Sequence, residues 1–342
     1  MPLSLSVLDQ STIASGRGPA AAIQETLALA PQVEAWGYKR YWMAEHHNSA
    51  AHAGSAPEIL IAAIAATTKR IRVGSAGVML PHYSALKVAE QFRVLEAIAP
   101  GRIDLGLGRA PGSDGRTAYA LNPQAGTAAD NFPAQLRDLM GWLGDGLPEA
   151  HPFRAVTASP AVETRPELWM LGSSEYGAQV AAFFGLPYCY AHFITDGAGG
   201  EQAMEMYHQG FRPSAHCAAP HAAIGVFALT APTREEARRL FAPRGLWRLW
   251  RDQGRFLPLP SQAEAEAYDY SPAEREHVER LASRALIGSP AEVRAGIEAL
   301  AARYNAREVA VLTPCHDATA RADSYRLLAE AFGLGALAQA AE

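Results

Sequence analysis

Eight short strand signals alternate with helix signals along this chain, and that alternation limits its fold more than any other feature. The strand signals are Leu3–Val7, Arg40–Ala44, Ile71–Leu80, Ile103–Leu107, Leu168–Leu171, Pro187–Ala191, Ala222–Leu229 and Arg307–Leu312. Helical periodicity fills most of the gaps: it is read over 20–36, where Ile23, Leu27 and Ala30 share a face, and over 58–68, 84–98, 128–143, 175–184 and 201–210. A strand, a helix and a further strand in series pair in parallel through a right-handed crossover. Eight such units predict an α/β fold, a closed (β/α)8 TIM barrel. A doubly wound open sheet is the alternative, but no GxGxxG follows a strand, so its dinucleotide fingerprint is missing.

A chain of 342 residues suits one barrel, and no Pro/Gly/Ser linker or run of like charges divides it. Residues 1–342 are therefore read as a single unit. Between the seventh and eighth strand signals lie about eighty residues, too many for one crossover. Thr233–Glu236, Ser271–Glu274 and Ser289–Glu292 have capping-box spacing, so three helices are predicted there. Pro243 to Tyr270 reads as irregular, and 243–285 as an insert that is either a mobile lid over the barrel mouth or a packed surface excursion.

Composition removes some partners. The net charge is −5, with acidic and basic residues interspersed, which disfavours nucleic acid or an anionic membrane. Cys189, Cys217 and Cys315 have no metal-ligand spacing and read as reduced thiols. No apolar run reaches the length of about 18 residues that a membrane helix needs, and Met1–Leu8 lacks a basic leader. A cytoplasmic protein is the expectation. The segment Ile59–Ala66 is apolar nearly all round, so its outer face requires cover, either from a second subunit or from the insert.

In such barrels chemistry collects at the C-terminal ends of the strands. There the chain presents Glu45-His46-His47, Ala76-Gly77, His82, Arg109, Leu171-Gly172-Ser173-Ser174, Tyr176 and His192. Gly172-Ser173-Ser174 runs into a helix start, where free N–H groups attract an anion. Arg109, on the neighbouring strand end, adds a bidentate clamp for a phosphate. Glu45, His46 and His47 supply a general acid or base near neutral pH. On an extended chain only one histidine of the pair faces the mouth. A metal site would need His82 or His192 to converge with them, and the HxH spacing is lacking.

With these motifs in hand, the chain resembles the bacterial luciferase-like flavin-dependent monooxygenase family. The resemblance rests on Tyr41-Trp-Met-Ala-Glu45-His46-His47, Val73-Gly-Ser-Ala-Gly-Val-Met-Leu-Pro81, Gly101-Arg-Ile-Asp-Leu-Gly-Leu-Gly-Arg109, Leu168-Trp-Met-Leu-Gly-Ser-Ser174 with Gly185-Leu-Pro187, and Gly288-Ser-Pro290. It implies a barrel that binds reduced FMN (FMNH2), or in some branches F420, at its mouth. It implies a flavin phosphate near Arg109, Ser173 and Ser174, a non-proline cis peptide at Ala76-Gly77 beside the isoalloxazine, and His46 as acid/base with Glu45 and His47 in support. It also implies a homodimer through the helices after strands 2 and 3. Gly108 stands where luciferases carry a reactive cysteine, Asp130 near a second phosphate-binding arginine, and Ser173 at an acidic position. These departures argue against light emission.

The function that follows is oxygenation of a small organic substrate with reduced FMN and O₂, the flavin being reduced by a separate reductase or by NAD(P)H. F420-dependent hydride transfer is the alternative enzyme reading, and a non-catalytic flavin-binding protein the non-enzymatic one.

Overall fold

The computed structural model describes residues 3–110, 112–144 and 146–335. From the N-terminus the elements are β1 (Ser4–Asp9), α1 (Pro19–Ala35), β2 (Arg40–Met43), α2 (Pro57–Thr67), β3 (Arg72–Met79), α3 (Ala85–Ile98) and β4 (Ile103–Gly108). Three helices follow, α4 (Gly115–Leu121), α5 (Ala125–Asp130) and α6 (Phe132–Leu143), then β5 (Glu167–Gly172), α7 (Glu175–Phe184), β6 (Tyr188–Tyr190), α8 (His192–Thr195), α9 (Gly200–Gly210) and β7 (Ala222–Thr230). The chain continues through α10 (Arg234–Asp252), α11 (Gln262–Ala267), α12 (Pro272–Arg284), β8 (Leu286–Gly288), α13 (Pro290–Arg303), β9 (Glu308–Leu312) and α14 (Ala318–Phe332).

Strands β1 to β7 and β9 pair in parallel around a closed ring, with β9 bonded to both β7 and β1. This is the eight-stranded barrel expected from the alternation. The short β8 pairs only with the end of β7, at Ala228–Thr230, and lies outside the ring.

Alternation of side chains along each strand sorts the residues into an outer core and a lumen. On β4, Ile103, Leu105 and Leu107 pack outward against helices, leaving Asp104, Gly106 and Gly108 inside. On β2, Tyr41 and Met43 go outward while Arg40 and Trp42 go in. The lumen is then filled in layers. Its floor is ionic: buried Arg40 reaches Asp104 and Glu308 at 2.8 Å and Glu167 at 3.0 Å. Burial pushes the Glu308 carboxyl up, but Arg40 and its other partners outweigh this and hold it well below the usual range. The middle layer is apolar, with Trp42 and Trp169 edge to face at 5.1 Å. The top layer carries Gly108 and Leu171 and opens into the mouth. Ions at the closed floor serve stability, which leaves chemistry to the mouth.

The insert departs from the expectation. The chain from Pro243 onward is helical to Asp252, not irregular, and a further helix forms at 262–267. Proline removes one hydrogen bond from α10 and costs about 3 kcal/mol in a helix interior. Burial of Ala237, Phe241, Leu246 and Leu249 on the helix's packed face offsets that cost. Thr233 caps α10, but the reciprocal bond is absent because Glu236 pairs with Arg239. Ser271 and Ser289 do open helices as read. The helix expected over 128–143 is broken at Asn131, since Pro133 starts a new helix in its first turn. The insert does not cover Ile59, which stays 66% exposed.

Candidate functional site

At the C-terminal ends of the strands a cleft encloses about 920 Å³ of space, including its open mouth. Ala76, Gly77, Arg109, Leu171, Gly172, Ser173, Ser174 and Tyr176 all line it. Every residue expected to hold a cofactor therefore meets the others in one place, drawn from three adjacent strands and the start of α7.

Each wall has a local cause. The Ala76–Gly77 peptide is cis, and the β3–β4 register shifts between Ser75 and Val78 around it. A Cβ on Gly77 would sit 2.6 Å from Leu171 Cδ1 and 2.7 Å from the Gly106 carbonyl oxygen. Only glycine lets β3 pack this closely on β4 and Leu171 beneath the cleft. Ser174 is the N-cap of α7, yet its hydroxyl makes no capping bond and remains available to a ligand. Arg109 is exposed and forms no ion pair among the described residues; its guanidinium lies over the Tyr176 ring at 3.9 Å. An uncommitted arginine, a free hydroxyl and a helix N-terminus together have the chemistry to hold a phosphate.

Glu45, His46 and His47 follow β2 and are not among the residues lining this cleft. Glu45 is 1% exposed and accepts from His47 Nε2 at 2.7 Å, from Tyr83 Oη at 2.9 Å and from the Met79 backbone N–H at 3.2 Å. It thereby fixes the end of β3, whose Met79 does line the cleft. His46 turns the other way, as alternation requires, and stacks on His52 with ring centroids 4.2 Å apart. His52 in turn lies 5.6 Å from Trp247 of α10. Burial lowers the His46 imidazole to about 4, with Glu45 opposing, and His52 to about 3. Both rings are neutral at pH 7, and His46 Nδ1 has no hydrogen-bond partner among the described residues.

Met79, Met170, Phe193 and Ile194 also line the cleft and were not singled out from sequence. Phe193 directly follows His192, so the strand-end rule pointed one residue short of it. Met170 gave no signal, being indistinguishable in sequence from any apolar strand residue.

The luciferase-like monooxygenase family profile matches residues 2–306. The chain belongs to that family. A relative from Bacillus subtilis (strain 168), the uncharacterized protein YwcH, is 46% identical over 333 residues, covering 96% of this chain and 99% of the relative. The N-acetyl-S-alkylcysteine monooxygenase of the same organism is 37% identical over 332 residues, covering 96% and 98%. Among solved structures, apo-MsnO8 superposes with a TM-score of 0.87 at 39% identity, covering 97% of this chain and 98% of that one. Two more distant structures share the fold: the FMN complex of a 3,6-diketocamphane monooxygenase component from Pseudomonas putida, covering 96% and 97% (TM-score 0.71, 20% identity), and an F420-dependent secondary alcohol dehydrogenase, covering 97% and 99% (0.63, 15%). The first of these two binds FMN and the second F420. Family membership makes this luciferase-like protein an oxidoreductase with a small-molecule substrate. Among the described residues no helix is long and apolar enough to cross a membrane.

Proposed function

We propose that this luciferase-like protein is an FMN-dependent monooxygenase that uses reduced flavin and O₂ to oxygenate a small organic substrate. The observation that carries the reading is the phosphate grip of Arg109, Ser173 and Ser174 beside the cleft floor at Ala76–Gly77. The site fits FMN: a cation without a counter-ion among the described residues, a serine hydroxyl free of any capping bond at a helix N-terminus, and a mostly apolar cleft beside them. Bound reduced flavin supplies the electrons that activate O₂.

The protein's own residues do the rest. Arg109, Ser173 and Ser174 anchor the phosphate, with Tyr176 holding Arg109 in place. Gly77, Ala76 and Leu171 shape the ring's bed, and Gly172 lets the chain turn into α7. Apolar Met79, Met170 and Phe193 exclude water from the reacting edge. His46, behind the cleft wall, is the proton carrier of this reading, its Nδ1 having no hydrogen bond among the described residues, while Glu45 and His47 hold the strand end on which it sits.

The exposed apolar face of α2 and α3, with Ile59, Val94 and Ile98 each about half or more exposed, serves as a homodimer interface. A separate flavin reductase supplies reduced FMN.

The test is oxygen incorporation. Protein, FMN, NADH and a flavin reductase are incubated under ¹⁸O₂ with a panel of small thioethers and ketones that includes N-acetyl-S-methylcysteine. One ¹⁸O atom in an organic product is expected. Turnover that yields only hydrogen peroxide across the panel, or turnover with F420 alone, contradicts the assignment.

A further inference from the structure

A second, largely filled pocket, about 410 Å³ with its opening to solvent included, lies beside the cleft, between β7, α8 and the insert helices α10 and α12. Phe193 lines both of them. The second one is cationic. Arg244, Arg248 and Arg284 line it against a single carboxylate, Asp196. Arg248 is committed, donating to Asp196 at 3.3 Å and to the Phe193 carbonyl at 3.2 Å. Arg244 is not. It is 6% exposed, its guanidinium stacks on Phe227 at 3.8 Å, and it has no hydrogen bond or ion pair among the described residues. Burial and the neighbouring Arg248 and Arg251 push its pKa well down, which marks a charge awaiting a counter-ion. A guanidinium sunk in this way without a carboxylate is costly, and a fork of N–H donors on an aromatic ring suits a planar oxyanion.

We propose that this cavity is an oxyanion subsite, in which Arg244 and Arg284 hold the carboxylate end of the substrate whose other end reaches past Phe193 to the flavin cleft. The proposal deepens the monooxygenase reading and rests on it for the identity of the occupant. It gives the insert a role in selectivity, since α10 and α12 then select anionic substrates.

Binding of acetate, hexanoate and inorganic sulfate to the flavin-free full chain tests this, by calorimetry and by thermal melting. Wild type, Arg244→Met and Arg284→Gln are compared, with FMN affinity measured in parallel. Hexanoate is expected to bind more tightly than acetate, because its chain extends past Phe193. Arg244→Met is expected to weaken hexanoate by about 10- to 100-fold, the value of a charged hydrogen bond. Its unliganded melting temperature is expected to hold or rise, and its FMN affinity to stay within about twofold of wild type. Arg284 is exposed, so Arg284→Gln folds regardless, and a several-fold loss of hexanoate affinity is expected there too.

A lower melting temperature in Arg244→Met with hexanoate binding intact would make the arginine structural and overturn the proposal. Equal binding of acetate and hexanoate would overturn the substrate-end assignment, as would displacement of acetate by FMN. Failure of FMN to bind at all sinks the monooxygenase reading instead, and is read separately from the anion titrations.

Discussion

The guanidinium carbon of Arg109 lies 3.9 Å from the ring centroid of Tyr176. Tyr176 is on the first turn of α7, whose N-terminus is the other half of the proposed phosphate grip. The stack therefore presets the arginine relative to the helix it works with. Tyr176→Leu removes the platform but keeps the charge. A loss of about 0.5–1 kcal/mol in FMN affinity is expected, the worth of an exposed cation–π contact. Fluorescence titration measures it, and an unchanged affinity separates the ring from the grip.

Among the glycines lining the cleft, Gly77 has the least room for a side chain. A methyl group there meets Leu171 Cδ1 at 2.6 Å and the Gly106 carbonyl oxygen at 2.7 Å, and the carbonyl cannot swing aside. Gly77→Ala is expected to cost about 1–3 kcal/mol in urea unfolding and to weaken FMN at the same time. Wild-type stability in this variant would mean that β3 and β4 can separate without consequence.

His46 sits outside the cleft wall, so its removal leaves the flavin's bed intact. His46→Ala is expected to bind FMN as wild type and to turn over the substrate found under ¹⁸O₂ about 10²- to 10⁴-fold more slowly. Equal turnover would take His46 out of the mechanism and leave His52 or solvent as the proton carrier.

The stacked pair His46 and His52 makes the fold acid-sensitive. Both are lowered in the folded state, to about 4 and about 3, from an ordinary value of 6.5. Between those limits the unfolded chain binds protons that the folded chain refuses. Stability is thus full above pH 6.5 and is lost as pH falls toward 4. The loss is on the order of 2 kcal/mol or more over that window, since each group contributes at most about 1.4 kcal/mol per pH unit. Urea midpoints at pH 7, 5.5 and 4.5 measure it. The double substitution His46→Phe with His52→Phe is expected to flatten the profile, and an equally steep profile would place the sensitivity elsewhere.

Much of this architecture was legible in the sequence. The barrel was, because its strands are buried on both sides and appear as short apolar runs at regular intervals. The convergence of Ala76, Gly77, Arg109, Ser173 and Ser174 on one cleft was, because the strand-end rule samples the positions that line a mouth. The insert was not. Pro243 reads as a breaker, and only tertiary burial of Phe241, Leu246 and Leu249 keeps the helix going through it. The ionic floor around Arg40 also escaped notice, since its partners are up to 268 residues apart in sequence. The trio after β2 was found, but its division of labour was not: Glu45 and His47 brace Met79 and Tyr83, whereas His46 faces His52. Nothing in the linear order of those residues sets that split apart from its reverse.

On this account Arg109 and the start of α7 hold the phosphate of FMN. Titration of the purified chain with oxidised FMN, followed by flavin fluorescence for wild type and Arg109→Ala and with F420 as the control, tests that grip most directly. Saturable binding of FMN, weakened by about 1.5–3 kcal/mol in the variant, is the expected result. Equal affinity in the two proteins, or saturation by F420 and not by FMN, would contradict it.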